Sequence, residues 1–151
     1  MLVFTQELSV QTRGEGMIID LTPRIAGVIE KSEVHDGIVH LFVQGSAVAL
    51  TTIEYEEGVL EDLRRALRVI APDEQTYAHD AAWGDGNGRS HVRAALFGPS
   101  LSIPIRAGRL MLGTWQQAVL LELDVRPSRT RTVFVSILQT HQETRVDRVP
   151  L

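Results

Sequence analysis

Two histidines and a carboxylate stand close together in a polar, glycine-rich stretch of the sequence. His79 is followed at once by Asp80, and His91 lies beyond a segment, residues 84–88, in which glycines alternate with Asp and Asn. Such a loop can fold back and bring both imidazoles together, and two imidazoles with a carboxylate suit zinc or a similar divalent ion. The alternative is that both rings form hydrogen bonds to backbone atoms and bind nothing.

A second set of polar side chains, Ser46, Thr52 and Glu54, lies on a segment predicted to be a strand. The two-residue period of a strand places Thr52 and Glu54 on the same face. A carboxylate in an apolar pocket near an imidazole is suited to proton transfer, which makes Glu54 a candidate general base. The alternative is an acidic residue that favours the start of the helix after it.

The third candidate is Gln116, which follows Gly113 and Trp115 at the start of an apolar segment. Its amide offers both a hydrogen-bond donor and an acceptor to a ligand. Large aromatic residues at strand starts usually pack in a core or a subunit interface, and we expect this of Trp115 rather than ligand stacking.

Charge and composition exclude several classes of function. The 15 basic and 19 acidic residues give a net charge of −4, so no cationic field attracts a nucleic acid. With no cysteine, disulfides and thiolate chemistry are excluded, and a metal would need His, Asp, Glu or backbone oxygen. The sequence has no apolar run long enough to span a membrane and no secretory signal pattern, and we expect a cytoplasmic protein.

The periodicity of apolar residues predicts an α+β fold with much antiparallel pairing. We expect one domain over residues 1–151, with a poorly ordered tail from about residue 140. The stretch from Tyr77 to His91 is predicted to be an irregular loop. Predicted helices cover residues 23–31 and 58–70, and predicted strands cover residues 2–11, 38–44, 47–54, 100–105, 114–124 and 132–138.

Several motifs resemble those of the YjbQ-like family, whose members are classed as secondary thiamine-phosphate synthases. The resemblance extends from the opening strand to about Leu138. Its signature segment consists of Gly98–Pro104, Gly108–Leu110 and Leu112–Gln116, and the supporting stretches, in the family's order, are Thr51–Glu54, Tyr77–Asp80 and His91–Ala94.

The resemblance implies a two-sheet, largely antiparallel sandwich flanked by about two helices, and a homotrimer around a threefold axis. It also implies a side activity that forms thiamine phosphate from an aminopyrimidine diphosphate and a thiazole phosphate. The physiological reaction stays open.

The family's site maps onto Glu54, His79 and His91, with Asp80 and Gln116 beside them. Two positions that carry histidine in other members are Gly45 and Arg89 here, so His79 and His91 are the two motif histidines left to bind a metal. The complete set of candidates is catalytic His79, Glu54 and Asp80; metal-binding His79 and His91; and substrate-binding Ser46, Thr52, Arg89, Arg93 and Gln116.

The leading hypothesis is an enzyme acting on a small phosphorylated substrate. In it, His79 and Glu54 exchange protons, His91 orients substrate or binds a divalent metal, and the guanidinium of Arg89 or Arg93 neutralises phosphate. One alternative is a non-catalytic homotrimer that binds a metal or metabolite. Another is an assembly protein whose polar cluster satisfies a buried interface.

Overall fold

The computed structural model describes residues 2–140, with side chains from residue 4 onward. The predicted disorder of the tail falls outside this range. The elements in chain order are β1 (Leu2–Thr12), β2 (Ile18–Asp20), α1 (Thr22–Ser32), β3 (Gly37–Val43), β4 (Val48–Ile53), α2 (Glu57–Ile70), α3 (Ala78–Trp83), α4 (Gly88–Phe97), β5 (Ser100–Arg106), β6 (Arg109–Leu110), β7 (Gln117–Glu122) and β8 (Arg129–Gln139).

The strands form two sheets in which all neighbours are antiparallel. The larger sheet has the order β1-β8-β3-β5-β6, and the smaller sheet has the order β2-β7-β4. This confirms the predicted α+β class and its antiparallel two-sheet architecture.

The main core lies between the two sheets because their strands alternate inward and outward. In β3, Val39, Leu41 and Val43 are buried, whereas the residues between them are more exposed. These side chains meet Leu50 and Leu120 of the smaller sheet, and α1 adds its apolar face to the same cluster. The region from Ala118 to Glu122 in β7 is buried throughout, since the smaller sheet is covered on both faces.

The second face of the smaller sheet packs against α2 and α4 through a separate apolar cluster. Leu60 and Leu67 of α2 and Ala94 of α4 contact Val119 and Leu121 there. The first turn of α2 is capped by the carboxylate of Glu56, which accepts hydrogen bonds from the backbone N–H groups of the second and third helix residues. These bonds hold the pKa of Glu56 below its usual value. The acid that caps this helix is therefore Glu56 and not Glu54.

The described residues contain four helices, so the predicted number of two is wrong. The stretch from Tyr77 to His91 was expected to be irregular, but it forms α3 and the beginning of α4. The irregular part is confined to the connection between them, where Gly84 and Gly86 have φ of 67° and 72°. The glycine-rich beginning of α4 does not predict a helix, and the helix is stabilised by its burial on the smaller sheet. None of the helices in the described range could cross a membrane.

Candidate functional site

His79, Asp85 and His91 converge at the connection between α3 and α4. One nitrogen or oxygen atom from each side chain lies within 4.8 Å of the others. The imidazole rings of His79 and His91 meet edge to face, with centroids 4.6 Å apart and an interplanar angle of 77°. The His79 Nε2 atom lies 3.2 Å from Asp85 Oδ1. Two imidazoles and a carboxylate at these distances form a candidate divalent-metal site.

The orientation of the His91 ring is set by the backbone at Ser46. The His91 Nδ1 atom lies 3.0 Å from the Ser46 carbonyl oxygen. Because a carbonyl accepts hydrogen bonds only, Nδ1 carries the proton and Nε2 keeps the lone pair that a metal needs. A backbone carbonyl on the second nitrogen is a usual outer-shell contact of a metal-binding histidine. Ser46, predicted to bind substrate, thus contributes its backbone to the site.

Asp85 is held in place by Asn87. The backbone N–H of Asn87 donates to Asp85 Oδ1 at 3.1 Å. This hydrogen bond, helped by one from His79, keeps the pKa of Asp85 below its usual value, so the side chain is an ionised acceptor at neutral pH. The buried Asn87 amide in turn donates to Asp124 and accepts from the Val125 N–H, which attaches the loop to the smaller sheet.

Asp80 has a different role from the predicted catalytic one. Its Oδ1 atom accepts a hydrogen bond of 2.8 Å from the backbone N–H of Gly88, the first residue of α4. Consecutive helix residues point about 100° apart, so Asp80 turns away from the ligand edge of His79. A Cβ at Gly88 would overlap the Tyr77 side chain and touch Asp80, so only glycine fits there. Asp80 is a capping residue that joins α3 to α4.

Arg89 and Arg93, predicted to bind substrate phosphate, are engaged in ion pairs. Arg89 forms a two-pronged pair with Glu15, both N···O distances being 2.8 Å. Arg93 is buried, pairs with Glu15 at 2.7 Å and with Asp73 at 2.7 Å, and also donates to the Ala71 carbonyl. Positions 89 and 93 are one helical turn apart, whereas His91 lies on the opposite side of α4. The two guanidinium groups therefore stabilise the packing of α4 and do not face the histidines.

Thr52 and Gln116 meet each other in a separate place. Gln116 donates to Thr52 Oγ1 at 3.0 Å, and its carbonyl oxygen accepts from the Gly113 N–H. They line a cavity of ≈ 330 Å³ between β4, β5 and the segment before β7. Strand alternation points Ile53 of β4 towards the helix side and Thr52 away from it. The resemblance grouped Thr52 and Gln116 with the histidines. Within one chain, however, these two residues and the histidines lie on opposite faces of the smaller sheet.

Glu54 and Trp115 also depart from their predicted surroundings. Glu54 is exposed one residue past the end of β4, and among the described residues its carboxylate has no hydrogen-bond partner. It is not a member of the group formed with Asp85. The Trp115 side chain is 72% exposed, which excludes the predicted core position within one chain and leaves a subunit interface as its predicted role. Proton exchange between Glu54 and His79 within one chain has no contact to support it.

A buried charge network, which was not predicted from the sequence, lies behind the site. Glu122 is fully buried, and Arg131 donates to its two carboxylate oxygens at 2.7 and 2.6 Å. Thr12 and the Asp124 N–H complete the partners of this carboxylate. The hydrogen bonds to Glu122 raise the pKa of Arg131 above its usual value. The network reaches the site through the Asn87 amide on Asp124.

Asp124 remains ionised in spite of its burial. Burial alone would raise the pKa of this carboxyl group, but hydrogen bonds from the Arg126 N–H, the Asn87 amide and Arg129 together lower the pKa below its usual value. The Asp124 carboxylate is thus a fixed acceptor that anchors the connection between α3 and α4 through Asn87.

The family model described as "UPF0047 protein YjbQ-like" matches residues 6–140 of this chain. The chain belongs to the YjbQ-like UPF0047 family. It is 37% identical over 137 residues to a UPF0047 protein of Methanothermobacter thermautotrophicus, covering 91% of this chain and 93% of the relative. It is 35% identical over 114 residues to the YjbQ protein of Salmonella typhimurium, covering 74% and 80% of the two chains.

Solved structures of YjbQ-like proteins share this fold. A YjbQ/UPF0047 family protein from Clostridium acetobutylicum superposes with a TM-score of 0.79 at 32% identity, covering 88% of this chain and 99% of that one. A conserved hypothetical protein from Thermus thermophilus gives a TM-score of 0.76 at 33% identity with the same coverage. Family membership establishes the fold, and the function has to be argued from the site.

Proposed function

We propose that this YjbQ-like chain binds a divalent transition metal through His79, Asp85 and His91 and uses it as an enzyme on a small anionic substrate. The observation that carries the proposal is the convergence of the three ligand atoms within 4.8 Å. Two neutral imidazoles and one carboxylate suit zinc, iron or manganese. Three protein ligands leave coordination positions for water and substrate, which is typical of catalytic rather than structural metal sites.

The burial of the three ligands agrees with a catalytic role. His79 and His91 are half-buried, whereas Asp85 is exposed, so one side of the site is open to a ligand from solvent. A metal bound there would polarise a substrate oxygen or lower the pKa of a bound water molecule. The side activity that the resemblance implies couples an aminopyrimidine diphosphate to a thiazole phosphate and releases diphosphate. It is a suitable first assay because a bound metal would stabilise the charge on that leaving group.

Metal removal tests the proposal directly. The two substrates are incubated with protein treated with a chelator and with the same protein after addition of Zn²⁺ or Mn²⁺, and thiamine phosphate is measured by mass spectrometry. We expect product from the metal-loaded protein and none above background from the metal-free protein. Equal turnover in the two samples would show that the chemistry does not use the metal.

The non-catalytic alternative is favoured by one observation. Glu54, predicted to exchange protons with His79, is exposed elsewhere, and Asp80, the other predicted catalytic carboxylate, caps α4. A site with a metal and no general base could hold a metabolite without converting it. Metal-dependent retention of a small molecule, with no product from any substrate tried, would support this function.

We also propose that the chain forms a homo-oligomer, the homotrimer expected from the resemblance, through the outer face of the larger sheet. The helices pack on the smaller sheet and around the main core, and this outer face has no helix layer among the described residues. It presents Ile38, Phe42 and Leu138, which are 43%, 42% and 39% exposed. Ile38 is in register with Leu138, and Phe42 with Phe134, so this face carries two apolar cross-strand pairs, with the His40–Ser136 pair between them. Exposed apolar side chains grouped on an uncovered sheet face are typical of a subunit contact.

A charge placed in this face should dissociate the oligomer. We expect Phe42→Glu to elute and scatter light as a species of lower mass than the natural chain, because burying one carboxylate per subunit without a partner opposes association. Multi-angle light scattering at matched concentrations measures the mass. Trp115→Glu, on the exposed segment before β7, tests the other residue for which a subunit interface is predicted. Dissociation by Trp115→Glu with an unchanged Phe42→Glu oligomer would move the interface to that segment.

A further inference from the structure

We infer that Arg131 and the Gly45–Ser46 connection form a binding site for a phosphoryl group beside the candidate metal site. This inference deepens the proposed function and rests on it for the neighbouring metal. Arg131 is a residue of β8 whose side chain is 10% exposed, and its Nε and Nη2 atoms are fixed on Glu122. The third guanidinium nitrogen, Nη1, has no acceptor among the described residues.

This free nitrogen reaches the protein surface. In the described part of the chain, Ser90 Oγ is the one fully buried side-chain polar atom without a partner. The unpaired Nη1 is therefore in contact with solvent although the rest of the Arg131 side chain is enclosed. A guanidinium held by a fully buried carboxylate is already oriented, so binding an anion costs little side-chain entropy.

Gly45 is the residue next to Nη1 of Arg131. Gly45 has φ of 138°, and a Cβ at this position would lie 3.1 Å from Arg131 Nη1 and 2.9 Å from Val48 Cγ1. A side chain there would cover the guanidinium, and glycine leaves it open. Gly45, Ser46 and His91 also line a common cavity of ≈ 380 Å³. Nη1 of Arg131 thus lies next to a residue that lines this cavity, and no side chain at residue 45 separates the two.

The backbone of the same connection supplies further donors. Within the described residues, the N–H groups of Gly45 and Ser46 donate to no other protein group, whereas the neighbouring Gln44 N–H is paired with Thr132. Unpaired backbone N–H groups next to a guanidinium are typical of oxyanion sites. The two N–H groups and the Ser46 hydroxyl provide three hydrogen-bond donors beside the guanidinium. A carboxylate has only two oxygens to accept from them, so the three terminal oxygens of a phosphoryl group suit these donors better.

The location connects the anion to the metal ligands. The Ser46 carbonyl oxygen accepts the hydrogen bond of 3.0 Å from His91 Nδ1. A phosphoryl group bound at Gly45 and Ser46 would lie beside His91, where the rest of the substrate can reach the metal. Arg131 would then take the role that the sequence assigned to Arg89 and Arg93, which are paired with Glu15.

Titration of metal-free protein with inorganic phosphate, followed by calorimetry, tests this site. We expect saturable binding at one site per chain. Because a charge-assisted hydrogen bond is lost, Arg131→Lys should raise the dissociation constant for phosphate at least about tenfold. The matched control, Arg129→Lys on the same strand, should leave the constant within about threefold of that of the natural chain. Sodium acetate should bind more weakly than phosphate.

A second variant covers the case in which Arg131→Lys does not fold. Ser46→Ala keeps the Arg131–Glu122 pair and removes the hydroxyl donor of an exposed residue, and it should weaken phosphate binding by about 2–10-fold. No saturable binding to the natural chain, or unchanged affinity in the folded variants, would overturn the inference, and acetate binding as tight as phosphate would overturn the phosphoryl assignment. Zinc titration without phosphate is a separate measurement, so failure of the metal site and failure of the anion site are distinguishable.

Discussion

His79→Ala and His91→Ala proteins are each expected to bind zinc at least about 100-fold more weakly than the natural chain. Loss of an outer-shell partner of a metal ligand already costs about 10–100-fold in affinity, and loss of a direct ligand should cost at least as much. The histidines are the two imidazoles of the convergent group, and Asp85 alone cannot replace a missing nitrogen. Plasma mass spectrometry of the purified proteins and titration with a competing chelator measure metal content and affinity.

Two carboxylate variants sharpen this experiment. Asp85→Asn should lose metal affinity because Asp85 lies 3.2 Å from His79 Nε2, whereas Asp80→Asn should keep the affinity because Asp80 caps α4. His35→Ala is the histidine control, since the exposed His35 side chain belongs to no ligand group among the described residues. Natural metal content in both His79→Ala and His91→Ala would exclude the proposed site. If Asp80→Asn loses the metal and Asp85→Asn keeps it, the carboxylate ligand is Asp80 and not Asp85.

The six longer strands and the helices α1 and α2 could be predicted because their signals are local. Val39, Leu41 and Val43 alternate with more exposed residues, and Leu60 and Leu67 lie on one face of α2. Burial follows directly from such periods. The helix that carries His91 was missed for the opposite reason. Its first residues are glycine and polar, and its stability comes from packing on a sheet that is distant in sequence.

The site residues divide according to how far away their partners lie in the sequence. His79 and His91 were found together because one short connection brings them together, and Asp85, six residues from each, was overlooked within a segment interpreted only as loop. The equal spacing of His79, Asp85 and His91 in the sequence is the signal that could have identified Asp85. The pairing of Arg89 with Glu15 spans 74 residues, so no spacing rule could show that this guanidinium was already neutralised.

The largest effect on stability is expected from Arg131→Ala, which should lower the free energy of unfolding by about 3–5 kcal/mol. The variant leaves the fully buried Glu122 carboxylate with Thr12 and one backbone N–H as its partners, and with no opposite charge in contact. An uncompensated buried charge is far more costly than the pair is favourable, because the desolvation of the carboxylate is no longer offset. Urea denaturation followed by circular dichroism measures the change.

Arg129→Ala is the matched control for this prediction, because it removes the neighbouring guanidinium of the same network. Its side chain is more exposed than that of Arg131, and Asp124 keeps donors from Asn87 and a backbone N–H, so a loss of at most about 1 kcal/mol is expected. A double variant, Glu122→Leu with Arg131→Met, should recover most of the stability, since apolar replacement of a whole buried pair is often neutral. If Arg131→Ala is no more destabilising than Arg129→Ala, the pair does not hold the smaller sheet to β8. In that case the role left for Arg131 is anion binding through its free Nη1, and the phosphate titration becomes the deciding measurement for this residue.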